Sequence, residues 1–234
     1  MSLAGKIFWR FAPQRLLDRV NPPHATLSYS QEGEDRILAR LFEGQDRGYY
    51  VDVGAHHPQR FSNTYAFYLR GWRGINIEAR PGAMQLFQEL RPEDVNLELA
   101  VSDEKKVLTY YEFNEPAFNG FCKEAALRAD GLAHYRIIGT REIEAVTLAE
   151  ILEEHLPQSQ AIDFLNIDVE GLDEKVLLSN DWDKFRPRLV LAEDTLVRSY
   201  LEVSQSRVVA LMVGYGYELF AKTMNTLIFR LQAE

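Results

Sequence analysis

The chain has 234 residues, a net charge of −9 and a hydrophobic content of 46%, which is room for one α/β domain and an appendage. The acidic balance argues against a general nucleic-acid binder, which needs a basic surface. No apolar run approaches the roughly 18 residues of a membrane-spanning helix, no signal peptide is recognisable, and the single cysteine, Cys122, rules out an internal disulfide and suits a reducing cytoplasm.

Residues 1–28 read as an N-terminal basic amphipathic arm. Lys6, Arg10, Arg15 and Arg19 alternate with Phe8, Trp9, Phe11, Leu16 and Leu17, and Asn21-Pro22-Pro23 ends the segment. Such an arm either packs on the domain or lies in a membrane interface, which would place the protein at the inner face of a membrane. Ser30 to Phe42 has helical spacing, with Ser30 as a candidate cap. Strands follow at 49–54, 73–78, 95–101, 162–167, 188–193, 217–222 and 226–231. Helical patterns lie near 63–70, 82–90, 147–156, 173–179 and 198–213. Alternating strands and helices predict a parallel sheet with right-handed crossovers. Thr223-Met224-Asn225 is too short for a crossover, so the last two strands form an antiparallel hairpin. Residues 106–146 depart from the alternation: Lys106–Phe113 alternates as a strand that Glu142–Val146 can pair with. The stretch between them reads as an insertion over the strand ends, where loops shape pockets.

The most telling pattern joins the first two strands of the sheet. Val51-Asp52-Val53-Gly54-Ala55 ends one apolar run, and Gly74-Ile75-Asn76-Ile77-Glu78-Ala79 ends the next in an acid. In an open parallel sheet, ligands sit beyond the carboxyl ends of the strands. A glycine there lets the backbone approach a ligand, and an acid can accept hydrogen bonds from ribose hydroxyls. Asp52 would hold the glycine loop or meet an ammonium. The loop is not G-x-G-x-x-G, and its bulky residues do not suit a pyrophosphate. Ser62 or Asn63 can cap the next helix, whose free N–H groups could bind a carboxylate. Together these features describe S-adenosylmethionine better than NAD. Val101 and Ser102, at the end of the third strand, are placed at the adenine.

A second constellation is acidic. Ile162-Asp163-Phe164-Leu165-Asn166-Ile167-Asp168-Val169-Glu170-Gly171 brings Asp168 to a strand end, and Glu170 shares its side. Leu191-Ala192-Glu193-Asp194 ends the adjacent strand in two acids. Asp168, Glu193 and Asp194 are candidate Mg²⁺ ligands; otherwise they accept hydrogen bonds from backbone, substrate or cofactor. His57, ahead of His56, is the candidate general base for a hydroxyl.

On these residues the chain resembles the FkbM-type S-adenosylmethionine-dependent methyltransferases. The likeness also rests on Tyr29-Ser30-Gln31-Glu32-Gly33-Glu34-Asp35, Phe61-Ser62-Asn63-Thr64, Gly71-Trp72-Arg73 and Gly216-Tyr217-Glu218, and spans roughly residues 29–231. It implies a class I methyltransferase, Rossmann-like fold: a seven-stranded sheet of order 3-2-1-4-5-7-6 with strand 7 antiparallel, here as a domain of residues 29–234 behind a helical arm. It implies methyl transfer to a hydroxyl of a sugar or natural product, with cell-surface glycan or lipopolysaccharide as the acceptor class. Gln31 is placed near the cofactor. His56 and Pro58 stand where some members carry Asn and a second Gly. The expected cofactor set is Gln31, Asp52, Gly54, Ala55, Ser62, Asn63, Glu78, Ala79, Val101, Ser102 and Asp168, and the expected catalytic set is Asp168, His57 and Glu193. The rival readings are an NAD-dependent oxidoreductase and a catalytically silent nucleoside-binding protein.

Overall fold

The computed structural model describes residues 24–232. Most of the amphipathic arm, residues 1–23, therefore lies outside the described residues. Seven strands make one mixed sheet: β1 (Tyr49–Val53), β2 (Arg73–Ile77), β3 (Val95–Leu97), β7 (Phe164–Ile167), β8 (Leu189–Glu193), β9 (Tyr217–Lys222) and β10 (Thr226–Leu231). Their spatial order is β3-β2-β1-β7-β8-β10-β9. Counted along the chain within this sheet, that is the expected order 3-2-1-4-5-7-6. The first five run parallel, and β10 is antiparallel to both neighbours.

Alternation along the strands sends side chains to two faces. Val51, Val53, Ile75, Leu165, Ile167 and Val190 meet helices α5 (Leu148–His155), α6 (Asp173–Leu178) and α7 (Arg207–Gly214) on one face. Tyr50, Phe164, Leu189 and Leu191 meet α1 (Glu34–Leu41) and α2 (Tyr65–Leu69) on the other, around Phe67 and Trp72. Further along that second face, towards the carboxyl ends, the register puts Asp52 beside Asn76 and Asn166. All three are buried. Apolar packing thus gives way to a polar stripe as the strands approach their ligand-bearing end, with α3 (Ala83–Leu90) close by, Met84 and Phe87 packing on Ala55.

Three expected elements differ. The third strand, expected over 95–101, breaks at Glu98-Leu99. Glu98 turns outward to accept from the Gly82 N–H, and Ala100–Val101 (β4) leaves the main sheet to pair with β6 (Ile137–Val146). Beside β6 runs β5 (Lys106–Phe113), antiparallel, and the three form a second sheet of order β4-β6-β5; α4 (Lys123–Ala129) lies in the segment between β5 and β6. The helix expected over 198–213 starts at Arg207, because Ser206 caps it by accepting from the Val209 N–H. Before it lie a loop and one 3-10 turn. The first helix begins at Glu34 behind a left-handed Gly33, while the Ser30 hydroxyl accepts from the Gly33 and Asp35 N–H groups. No described helix is long and apolar enough to cross a membrane.

Candidate active site

A cleft opens over the carboxyl ends of β1, β2 and β7, where the strand order reverses. Its empty space is about 940 Å³ including the open mouth. The floor is Gly54, at φ +81, with its backbone against the Asp168 carbonyl. Gly54 and Ala55 donate to the Ile77 carbonyl, tying the first loop to the end of β2. Glu78 then closes the loop. Its Oε2 accepts from the His56 N–H and its Oε1 from the Arg80 N–H, both at 2.8 Å. A carboxylate has about four acceptor sites, so each oxygen keeps one for a ligand hydroxyl. Burial pushes the Glu78 carboxyl above its ordinary range, and those two N–H groups oppose the shift.

Asp52 is 2% exposed and borders the cleft. It accepts from Thr64 Oγ1 and from Asn166 Nδ2, both at 2.8 Å. Asn166 in turn accepts from Asn63 Nδ2 at 2.8 Å. Asp52 thus holds the loop, one of the two roles expected for it. Gln31, Gly54, Ala55, Asn63, Glu78 and Ala79 border the cleft, as do Val101 and Asp168. Ser62 and Ser102 do not. Ser62 is turned inward and accepts from the Thr64 and Tyr65 N–H groups, while its own N–H bonds the Tyr29 carbonyl. Ser102 is fully buried and donates to Asp103. The Ser62, Thr64 and Tyr65 N–H groups are thus engaged, and α2 is only five residues long.

The walls are aromatic. Phe61, Tyr110 and Phe121 border the cleft, with Tyr110 and Phe121 rings 5.0 Å apart and the Arg60 guanidinium over Phe61 at 4.4 Å. Three non-glycine residues of the cleft, His56, Phe61 and Glu170, have left-handed backbones with φ between +51 and +58. Such conformations cost about 1–3 kcal/mol each and collect at functional sites.

Asp168 and Glu170 are exposed side chains at the cleft, set among other acids. Desolvation, with the Glu193 and Asp52 charges behind it, pushes the Asp168 carboxyl up to about 8. The same cause, with Asp168 and Glu193 as neighbours, pushes Glu170 up to about 9. A second cavity adjoins the first beyond the ends of β7 and β8. Glu193 and Asp194 border it, and among the described residues Glu170 alone borders both cavities. Burial and the Asp173 charge push Glu193 up to about 7.

The expected catalytic and metal sets are brought together only in part: Asp168 and Glu193 feel each other's charge, but His57 and Asp194 do not join them. His57 lies outside both cavities, and its Nδ1 accepts from the Gln59 and Arg60 N–H groups, which closes a local turn. His56 lines the cleft instead, and burial with nearby Arg60 and Arg80 lowers its pKa to about 4. Asp194 bonds Ser206 Oγ at 2.6 Å and the Leu196 N–H, which turns it from Asp168. Among the described residues, no three His, Cys, Asp or Glu side chains are placed to hold a metal ion, so Asp168, Glu193 and Asp194 do not form a Mg²⁺ set. Asn166 was missed although a lone asparagine in an apolar strand is a visible signal. Arg80 and Tyr110 carried none, while Phe61 stood in a matching motif and Phe121 in the expected pocket-shaping insertion without a role assigned to either.

No curated protein and no solved structure matches the chain. The family model described as the methyltransferase FkbM domain matches residues 52–219, which takes in Gly54, Glu78, Asp168 and the second cavity. The chain belongs to the FkbM methyltransferase family.

Proposed function

We propose that this chain is an S-adenosylmethionine-dependent O-methyltransferase of the class I fold, acting on a hydroxyl of a sugar or natural product. The observation that carries the reading is Glu78: a carboxylate fixed by two main-chain N–H groups, with free acceptor sites, at the rim of a cleft floored by a left-handed Gly54. That is an acceptor for ribose hydroxyls. The donor set fits a cationic nucleoside. Four acidic side chains, of Asp52, Glu78, Asp168 and Glu170, stand around the cleft, a lining that suits a cation rather than a pyrophosphate.

When bound, the cofactor supplies a methyl group on a positively charged sulfur, which makes that carbon electrophilic. Glu78 would hold the ribose, Val101 and the aromatic walls would cover the base, and Gln31 and Asn63 would meet the amino-acid end. The second cavity suits the acceptor, because it opens beside the first at the ends of β7 and β8. Asp168 and Glu193 would bind the acceptor hydroxyl and take its proton, and Glu170 stands between the two spaces. Positioning the acceptor supplies most of the acceleration. A cell-surface glycan or lipopolysaccharide as acceptor rests on family likeness, and residues 1–28 as a membrane-docking arm would suit a lipid-linked one.

Calorimetry with S-adenosylhomocysteine and with NAD tests the cofactor. Heat with the former and none with the latter supports the reading, and the reverse overturns it in favour of an oxidoreductase. A methyl-transfer assay on glycan extracts separates an enzyme from a silent binder. Turnover unchanged by a chelator is expected, since no metal set is assembled among the described residues.

A further inference from the structure

Arg91 is 0% exposed, a rare place for a guanidinium. It sits just after α3, stacked near the rings of Tyr50, Tyr68 and Phe87 at 5.3–5.6 Å. A buried charge is tolerated only when it is paired and hydrogen-bonded, and Arg91 is both. Nε donates to Asp94 Oδ2 at 2.8 Å, Nη2 to the Tyr50 hydroxyl at 2.7 Å and Nη1 to Thr64 Oγ1 at 3.0 Å. Asp94 is satisfied independently by the Tyr50 hydroxyl, Asn76 Nδ2 and the Gly74 N–H. The bond to Thr64 therefore leads elsewhere.

The direction of each bond along that path is forced by chemistry. A guanidinium can only donate, so Thr64 Oγ1 accepts from Arg91 and its one proton goes to Asp52 Oδ2 at 2.8 Å. An ionised carboxylate can only accept, so Asn166 must turn its Nδ2 to Asp52 Oδ1. That orients the Asn166 amide with Oδ1 towards Asn63, and Asn63 must offer its Nδ2. The remaining polar atom of Asn63, in the wall of the cofactor cleft, is a carbonyl oxygen. With Asp52 ionised, reversing any link would set two donors or two acceptors against each other. Burial raises the Asp52 carboxyl above its ordinary range, and the Arg91 charge with the bonds from Asn166 and Thr64 opposes that rise.

We propose that Arg91 is a positioning residue of the cofactor cleft: through Thr64, Asp52 and Asn166 it fixes Asn63 as a hydrogen-bond acceptor, which selects a nucleoside carrying an ammonium group. The inference rests on the cofactor reading above.

The test is calorimetry on the full chain with two probes, S-adenosylhomocysteine and its analogue in which hydrogen replaces the α-amino group. Arg91→Met and Thr64→Val each weaken S-adenosylhomocysteine by about tenfold, the scale of one charge-assisted hydrogen bond, and leave the analogue's affinity unchanged. Arg91→Lys, which keeps the charge, recovers part of the loss. Tyr50→Phe removes a bond to Arg91 on the side away from Thr64 and preserves the ratio of the two affinities. If Arg91→Met does not fold, Thr64→Val decides, since it keeps shape and charge. Equal losses for both probes, or no loss for S-adenosylhomocysteine, overturn the relay. A wild-type chain that binds neither probe overturns the cofactor reading instead.

Discussion

Gly54 and Asp168 are packed so closely that a β-carbon on Gly54 would stand 1.7 Å from the Asp168 carbonyl oxygen. Two strand ends are thus joined through bare backbone, β1 to β7, at the floor of the cleft. The obstacle is main chain, which cannot swing aside as a side chain can. Gly54 also holds φ +81, where a β-carbon costs about 1–2 kcal/mol before any clash. Gly54→Ala is expected to lower the thermal midpoint and to abolish measurable S-adenosylhomocysteine binding. A folded variant of wild-type affinity would show that no ligand uses this floor.

Glu78 has two duties that a substitution can separate. Inward, it satisfies the His56 and Arg80 N–H groups; outward, it is the ribose acceptor. Glu78→Ala orphans both N–H groups, at about 1–3 kcal/mol for a buried donor. Glu78→Gln keeps one acceptor oxygen but sets an NH₂ against the other N–H, so it restores little. Both variants are expected to weaken adenosine and S-adenosylhomocysteine alike, since the ribose is common to the two. Adenosine titration reads this directly, and an unchanged adenosine affinity would remove Glu78 from the ribose.

The acids at the ends of β7 and β8 give the folded chain a pH signature. The carboxyls of Asp168, Glu170 and Glu193 are raised to about 8, 9 and 7, against roughly 4 in an unfolded chain. Between those limits the folded state binds more protons, so stability falls as pH rises from about 4 to about 9 and levels off above. Urea midpoints across that range are expected to decline with pH. Asp168→Asn and Glu170→Gln are expected to flatten the decline. A cationic ligand reverses the trend, because it favours the ionised acids and drives protons out on binding. Calorimetry in buffers of different ionisation enthalpy counts those protons; none released would mean that the acids do not face the ligand's charge.

The parts of this fold that were legible in the sequence are those fixed by short-range rules. Strand and helix alternation and a three-residue link between the last strands were enough for a parallel sheet closed by an antiparallel hairpin, while the strand order came with the family resemblance. Asp52, Gly54 and Glu78 were legible because strand ends in a parallel sheet converge on one edge. What was not legible depends on distant parts of the chain. Asn63 finds Asn166 across 103 positions, and no local pattern announces that pair. Asp194 looked like a continuation of β8, but the strand ends at Glu193 and Asp194 turns to Ser206 and Leu196. The aromatic wall arises because Gly120 pairs back onto Tyr111 of β5, which folds the insertion over the cleft and places Phe121 against Tyr110.

The segment before the sheet shows why a recognisable motif need not be a set of ligand contacts. Gln31, Glu34 and Asp35 stand together in the sequence, yet only Gln31 borders the cleft. Asp35 is 0% exposed and accepts from Ser28 Oγ, the Tyr29 N–H and Ser30 Oγ at 2.7, 2.8 and 3.0 Å. Glu34 accepts from the Glu32 N–H and Thr226 Oγ1, and Glu32 accepts from Thr223 Oγ1 and the Asn225 N–H. The acids therefore bind the segment to itself and to the β9–β10 turn, and that places Gln31. Asp35→Ala leaves three donors without their acceptor and is expected to cost about 2–3 kcal/mol. Asp35→Asn recovers little, because one of its amide hydrogens must face a donor. Gln31→Ala breaks no such bonds, so it is expected to weaken S-adenosylhomocysteine at an unchanged thermal midpoint. Asp35→Ala is expected to change both quantities. If Gln31→Ala leaves affinity intact while Asp35→Ala lowers it, the segment shapes the cleft through Tyr29, whose carbonyl holds the Ser62 N–H, and Gln31 has no part in binding.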